Sequence, residues 1–104
     1  MQVQVNHDNH LRIASDTAER LSRAVEDALS QFADRITRVE MHVGDVNAGK
    51  GGEGDKRCML EARIANLQPI VVTHCAESLR LAIDGALERL DHAVRHTIGK
   101  LETH

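Results

Sequence analysis

One aromatic residue, Phe32, stands in a chain of 104, with no Trp and no Tyr. Proteins that track single-stranded nucleic acid stack successive bases on aromatic side chains, so RNA-recognition-motif and single-strand-binding architectures are excluded. Recognition of a helical backbone by its shape and phosphates remains open. An excess of positive charge is also missing, because 13 Lys and Arg against 16 Asp and Glu leave a formal net charge of −3. Non-specific affinity for a polyanion comes mostly from clustered cations that release counterions, so any nucleic-acid contact must be local. No apolar run reaches the roughly 18 residues needed to span a membrane. Residues 1–6 alternate polar and apolar before His7 and Asp8, unlike a secretory leader. A cytoplasmic location is therefore expected. Cys58 and Cys75 are the whole thiol inventory, and without export signals two cysteines are expected to be reduced and buried rather than bridged.

What is present is periodicity. Across residues 77–101, Leu79, Ala82, Ile83, Ala86, Leu87, Leu90, Ala93, Val94, Thr97, Ile98 and Leu101 recur at three- and four-residue spacing, which gathers them into one stripe of a long amphipathic helix. Arg89, His92, His96 and Lys100 line one flank of that stripe. Asp84, Glu88, Asp91 and Glu102 line the other, with Arg95 among them. A helix that sorts its charges in this way offers a basic stripe to a polyanion although the chain as a whole is acidic. Its alternative is a solvated face with charge pairs along it.

The rest of the chain supplies strands and a second helix. Val3 and Val5 alternate over residues 2–6 as a first strand. Ser15 or Asp16 then caps a helix, and Glu19 three residues after Asp16 suggests a capping box. Ala18, Leu21, Val25, Ala28, Leu29 and Phe32 share one face of this helix, with Arg20, Arg23, Glu26 and Asp27 outside. Residues 38–43 and 57–64 alternate as strands, and residues 70–73 are a last apolar run. A turn on Asn66 and Leu67 would set Cys58 opposite Cys75, both pointing inward, and Pro69 begins a strand best placed at a sheet edge. The order predicts an α+β fold, β-α-β-β-β-α. The first two strands are parallel across the helical crossover and the others antiparallel, a four-stranded mixed sheet with two helices packed on one face. One domain covering 1–104 is expected.

Chemistry-bearing motifs are few. Gly49, Gly51 and Gly54 match G-x-G-x-x-G within the irregular stretch 46–55, but a dinucleotide site needs a helix N-terminus directly after the glycines. Here Asp55, Lys56 and Arg57 lead into a strand, so a hairpin loop is the better reading, with Lys50, Lys56 and Arg57 as secondary phosphate contacts. His92 and His96 at i, i+4 lack the Glu of a zincin motif, and His74 beside Cys75 is expected to point away from the thiols. No enzyme activity, cofactor, metal or small-molecule substrate is indicated.

Several segments resemble the ribosome hibernation promoting factors, the family that includes the ribosome-associated inhibitor protein Y. They are Met1-Gln2-Val3-Gln4-Val5, Phe32-Ala33-Asp34-Arg35-Ile36, Leu81-Ala82-Ile83-Asp84-Gly85, and Asp45-Val46-Asn47 followed by Gly51-Gly52 and Asp55-Lys56-Arg57-Cys58. The resemblance covers nearly the whole chain and is to the short form, without the C-terminal dimerisation domain of longer members. It implies the same fold, a seat in the decoding channel of the small ribosomal subunit, and ribosomal RNA contacts through basic residues on the helices. Arg89 and Lys100 match basic positions of that pattern, whereas His92 and His96 stand where the family usually has Arg or Lys. Arg95, Arg20, Arg23 and Lys56 complete the candidate RNA-binding set. Two alternatives stay open: a protein-interaction module of the same fold, marked by an apolar patch on the open sheet face, and a small thiol or metal protein built on Cys58, Cys75 and nearby histidines.

Overall fold

The computed structural model describes residues 1–8, 11–46 and 56–102. Its elements are β1 (Gln2–His7), α1 (Ser15–Ala28), a 3-10 turn (Ser30–Phe32), β2 (Ile36–Asp45), β3 (Lys56–Ile64), β4 (Ile70–Ala76) and α2 (Leu79–Glu102). The sheet order is β1-β2-β3-β4. β1 pairs parallel with β2, and the other two pairings are antiparallel. This is the α+β arrangement that the alternating segments predict, and it leaves β4, with Pro69 just before it, at an edge.

Period-two alternation gives the sheet one apolar face. Val39, Met41 and Val43 of β2 and Cys58, Leu60, Ala62 and Ile64 of β3 are buried on it, under Val25 of α1, Leu29 just after that helix, and Ala82, Ile83, Ala86, Leu90, Val94 and Ile98 of α2. Burial of each large side chain in such a layer contributes about 1.5–3 kcal/mol. Both helices run antiparallel to β2 and β4, and so parallel to one another. α2 lies over β3 and β4, and α1 lies over β1.

Local signals decide the ends of the helices. Ser78 caps α2, its Oγ accepting the Leu81 N–H at 3.2 Å. The capping box expected at α1 is not formed. Its N-cap is Ala14, which makes no side-chain cap bond. Asp16 instead accepts from the Thr17 N–H at 2.9 Å and faces Arg20 at 3.5 Å. Two residues past the N-cap, still in the first turn, a carboxylate meets the positive end of the helix dipole but does not cap.

The β3–β4 hairpin differs from expectation by one residue. Asn66 adopts a left-handed φ of 67°, a conformation Asn tolerates better than most residues, and the hairpin centres on it rather than between Asn66 and Leu67. Cys58 therefore pairs with His74, and Cys75 with Arg57. A one-residue shift turns every side chain of a strand over. His74 faces the helices, and Cys75 is exposed on the open face.

His74 packs where α2 has no side chain. A Cβ on Gly85 would overlap the His74 imidazole, so glycine here lets the helix close on the edge strand. Gly85→Ala should therefore cost about 1–2 kcal/mol by overpacking, even though alanine is the better helix former by about 1 kcal/mol. In a His74→Ala background the same change should become neutral or stabilising. Chemical denaturation of the four proteins of this cycle measures the sign reversal, and an equal cost in both backgrounds would show that the imidazole does not constrain position 85.

Candidate nucleic-acid interface

The rotation of α2 about its axis is set by its apolar arc, and this decides where its charges point. Leu79, Ile83 and Leu87 face α1 across a groove shared with Thr17, Leu21 and Ala24. Arg80, Asp84, Asp91 and Arg95 follow on that α1 side. Gly85 faces the other way, over the β4 edge. At 100° per residue, Arg89, His92, His96 and Lys100 share the Gly85 flank. All four are exposed and extend over about 16 Å of helix at 1.5 Å per residue.

Spacing also explains why Arg89 keeps its charge. Arg89 has Gly85, Ala86, His92 and Ala93 at three and four residues, so no carboxylate reaches it along the helix. Arg89, His92 and His96 make no ion pair or hydrogen bond with another described residue. Arg95 has Asp91 at i−4 and is bound by it through Nη2, at 3.1 Å to Oδ2 and 3.4 Å to Oδ1. Arg80 faces Asp84 at 3.9 Å in the same manner.

The remaining candidate residues are not brought to the flank. Arg20 lines the inter-helix groove opposite Arg80 and Asp84 and is paired with Asp16. Arg23 is exposed on α1 with Glu19, Glu26 and Asp27 one turn away on either side. Lys56 begins β3, near the start of α2, and is bound to Asp45 at 3.2 Å. Arg95 belongs to a separate notch at the far ends of the helices, with Gln31, Phe32, Asp34 and Arg35. That notch was not visible in sequence because its two halves lie about sixty residues apart, and only the Asp91–Arg95 spacing hinted at it. The Gly-rich stretch, including Lys50, lies outside the described residues.

The open sheet face carries Gln2, Gln4 and Asn6 of β1, Arg38, Glu40 and His42 of β2, and Arg57, Met59, Glu61 and Arg63 of β3. Arg38 meets Gln4 and Glu40, and Arg63 meets Glu61. Val71, 53% exposed, and the half-buried Met59 are the large apolar side chains there, set among charged and polar neighbours, so no extended apolar patch marks this face among the described residues. The thiols are not a pair. Cys58 is buried and faces the helices, with its thiol pushed up to about 12 by desolvation, whereas Cys75 points to the opposite face. No group of three or more His, Cys, Asp or Glu suited to a metal occurs among the described residues, and no helix is long and apolar enough to cross a membrane.

Residues 2–102 match the family model described as sigma 54 modulation protein / S30EA ribosomal protein. The fold is similar to the Thermus thermophilus protein Y N-terminal domain, with 18% identity, a TM-score of 0.73, and coverage of 93% of this chain and 99% of that one. It is also similar to a ribosomal subunit interface protein from Coxiella burnetii, with 13% identity, a TM-score of 0.71, and coverage of 95% and 99%. None of the curated proteins matches the sequence.

The placement of the two cysteines has a direct consequence. A maleimide reagent at pH 8 should label one thiol per native chain, at Cys75, and two in denaturant, because a buried thiol held neutral is a poor nucleophile. Cys75→Ser should leave stability within about 0.5 kcal/mol, and Cys58→Ser should cost about 1–3 kcal/mol by burying a hydroxyl. Mass spectrometry of the labelled protein checks the first point and denaturation the second, and native labelling at Cys58 would contradict the packing described.

Proposed function

Since the chain belongs to the sigma 54 modulation protein / S30EA ribosomal protein family, we propose that it is a ribosome hibernation factor that seats in the decoding channel of the small ribosomal subunit. It meets the phosphates of ribosomal RNA there along the Arg89–His92–His96–Lys100 flank of α2. Bound in this way it keeps messenger and transfer RNA out while the cell is starved. It acts in the cytoplasm and catalyses nothing.

The observation that carries this reading is the exposed cationic flank of a chain whose net charge is −3. Arg89, His92 and His96 are left without carboxylate partners among the described residues, whereas Arg20, Arg80 and Arg95 are each paired one turn away. Exposed pairs of that kind contribute little to stability, about 0–1 kcal/mol, but they neutralise the field that would attract RNA. Binding is therefore local to one flank. The α1 candidates play a smaller part, since α1 presents Asp16, Glu19, Glu26 and Asp27 beside its two arginines.

Arg89→Glu should weaken binding to purified small subunits by about 1–3 kcal/mol. It should also flatten the log–log salt dependence by roughly 0.7–0.9 for each phosphate no longer neutralised. Arg20→Glu should have a smaller effect on both. Co-sedimentation across a salt series makes the comparison, and an Arg89→Glu protein indistinguishable from wild type would move the site elsewhere.

The two histidines give the flank a pH dependence. Imidazole changes its charge within the physiological range, and phosphates favour the charged ring. Around the rings stand Glu88, Arg89, Arg95 and Lys100 on α2, while β4 beneath carries no charged residue apart from what His74 acquires. The complex then holds more protons than its separated parts, so affinity rises as pH falls and levels off once the rings are charged in the free protein. Between pH 8 and pH 5.5 wild type should gain about 1 kcal/mol per ring protonated against a phosphate, relative to the His92→Gln, His96→Gln double variant. Parallel profiles for the two proteins would show that the rings do not touch phosphate.

A further inference from the structure

A notch lies at the C-terminal ends of the two helices, away from the cationic flank. It encloses about 400 Å³ and is open to solvent. One wall is Phe32, the single aromatic of the chain, and over it lies the Arg95 guanidinium, with Cζ 5.8 Å from the ring centroid. The guanidinium is held at its edge by Asp91. The Gln31 amide lies beside it, and with the amide rotated so that its oxygen faces the guanidinium it would accept from Nη2 at 2.7 Å and Nη1 at 3.3 Å. Ile98, 5% exposed, closes the apolar side.

These partners fix a plane and satisfy its charge. A guanidinium already met by a carboxylate and an amide oxygen has less to gain from a phosphate than the bare Arg89 has. Its exposed side, with the aromatic ring 5.8 Å beneath Cζ, is instead a surface for a base, since unpaired RNA bases stack on aromatic rings and on arginine planes alike. Asp34 at the rim supplies an acceptor for a base edge. The side chain of Arg95 remains 59% exposed, which leaves that surface accessible.

Gly99 joins the notch to the cationic flank. It sits between His96 and Lys100 in sequence and lines the notch with Arg95. A Cβ at this position would meet nothing within 4 Å, so packing does not require glycine, while a helical glycine is less favourable than alanine by about 1 kcal/mol. Its effect is to lower the crest of α2 between the flank and the notch. We propose that a ribosomal RNA strand whose phosphates lie on the flank passes one unstacked base over Gly99 into this notch, where it stacks on the Arg95–Phe32 pair. This rests on the proposed binding of RNA by the flank. It adds an interaction that senses the plane of a base rather than backbone charge.

Two variants separate base stacking from phosphate binding. Arg95→Lys keeps the charge and removes the plane, and Gly99→Gln fills the crest without changing charge and should raise thermal stability. Each should bind purified small subunits about tenfold more weakly than wild type, within the range expected for one stacked base, with the salt slope unchanged because every phosphate partner is still in place. Wild-type affinity in both variants, with Arg89→Glu still weakened, would overturn the notch and leave the flank standing. Wild-type affinity in all three would overturn both. Saturable binding of adenosine 5′-monophosphate that is abolished in Arg95→Lys, with subunit affinity unaltered, would replace the RNA base by a free nucleotide and so also refute the proposal.

Discussion

The seating of α2 on β3 and β4 is the packing from which most other features of this molecule follow. The sheet has one apolar face, and Ala82, Ala86, Leu90, Val94 and Ile98 cover its β3–β4 half as a single ridge. Small side chains at 82 and 86, and none at 85, bring the helix close enough to take up the half-buried ring of His74. Close packing allows little rotation about the helix axis. Once the ridge is engaged, the Gly85 side of the helix overhangs the edge strand and the Asp84–Asp91 side faces α1.

That fixed rotation is why an acidic protein presents a cationic surface. Whether an arginine stays available depends on what stands three and four residues away. Asp16, Asp84 and Asp91 each sit one turn from an arginine and bind it, whereas Arg89 has only glycine, alanine and histidine at those positions. The chain is acidic overall, while Arg89 stands exposed without a carboxylate partner among the described residues.

Arg95 shows how one residue type serves two ends. In sequence it stands on the acidic flank and joins the RNA-binding candidates on charge alone. In the fold its charge is met by Asp91 and its guanidinium lies over the Phe32 ring. Arg89, six residues earlier, has the opposite character, with no partner among the described residues. The lack of aromatics that excludes a continuous stacking platform still leaves one aromatic, and the fold has paired it with the arginine whose charge is already satisfied.

Periodicity alone determined the element order, the mixed sheet and the membership of the basic stripe, because side-chain direction in a helix or strand is a local property of spacing. The same local rules set the Asp91–Arg95 pair. Tertiary structure decided what local rules cannot reach. Asn66 in a left-handed conformation shifted the β3–β4 register by one residue, which put His74 rather than Cys75 opposite Cys58 and separated the thiols onto two faces. Sequence contains no cue to that shift, since a turn on Asn66 and Leu67 satisfies the same composition and period two merely inverts under a one-residue slip. Arg20, Arg23 and Lys56 looked equivalent to Arg89 as charges in a string. Only the packing of α1 beside the opposite flank of α2, and of Lys56 against Asp45, separated them from it, because which helix flanks face one another depends on how two distant apolar stripes meet on one sheet.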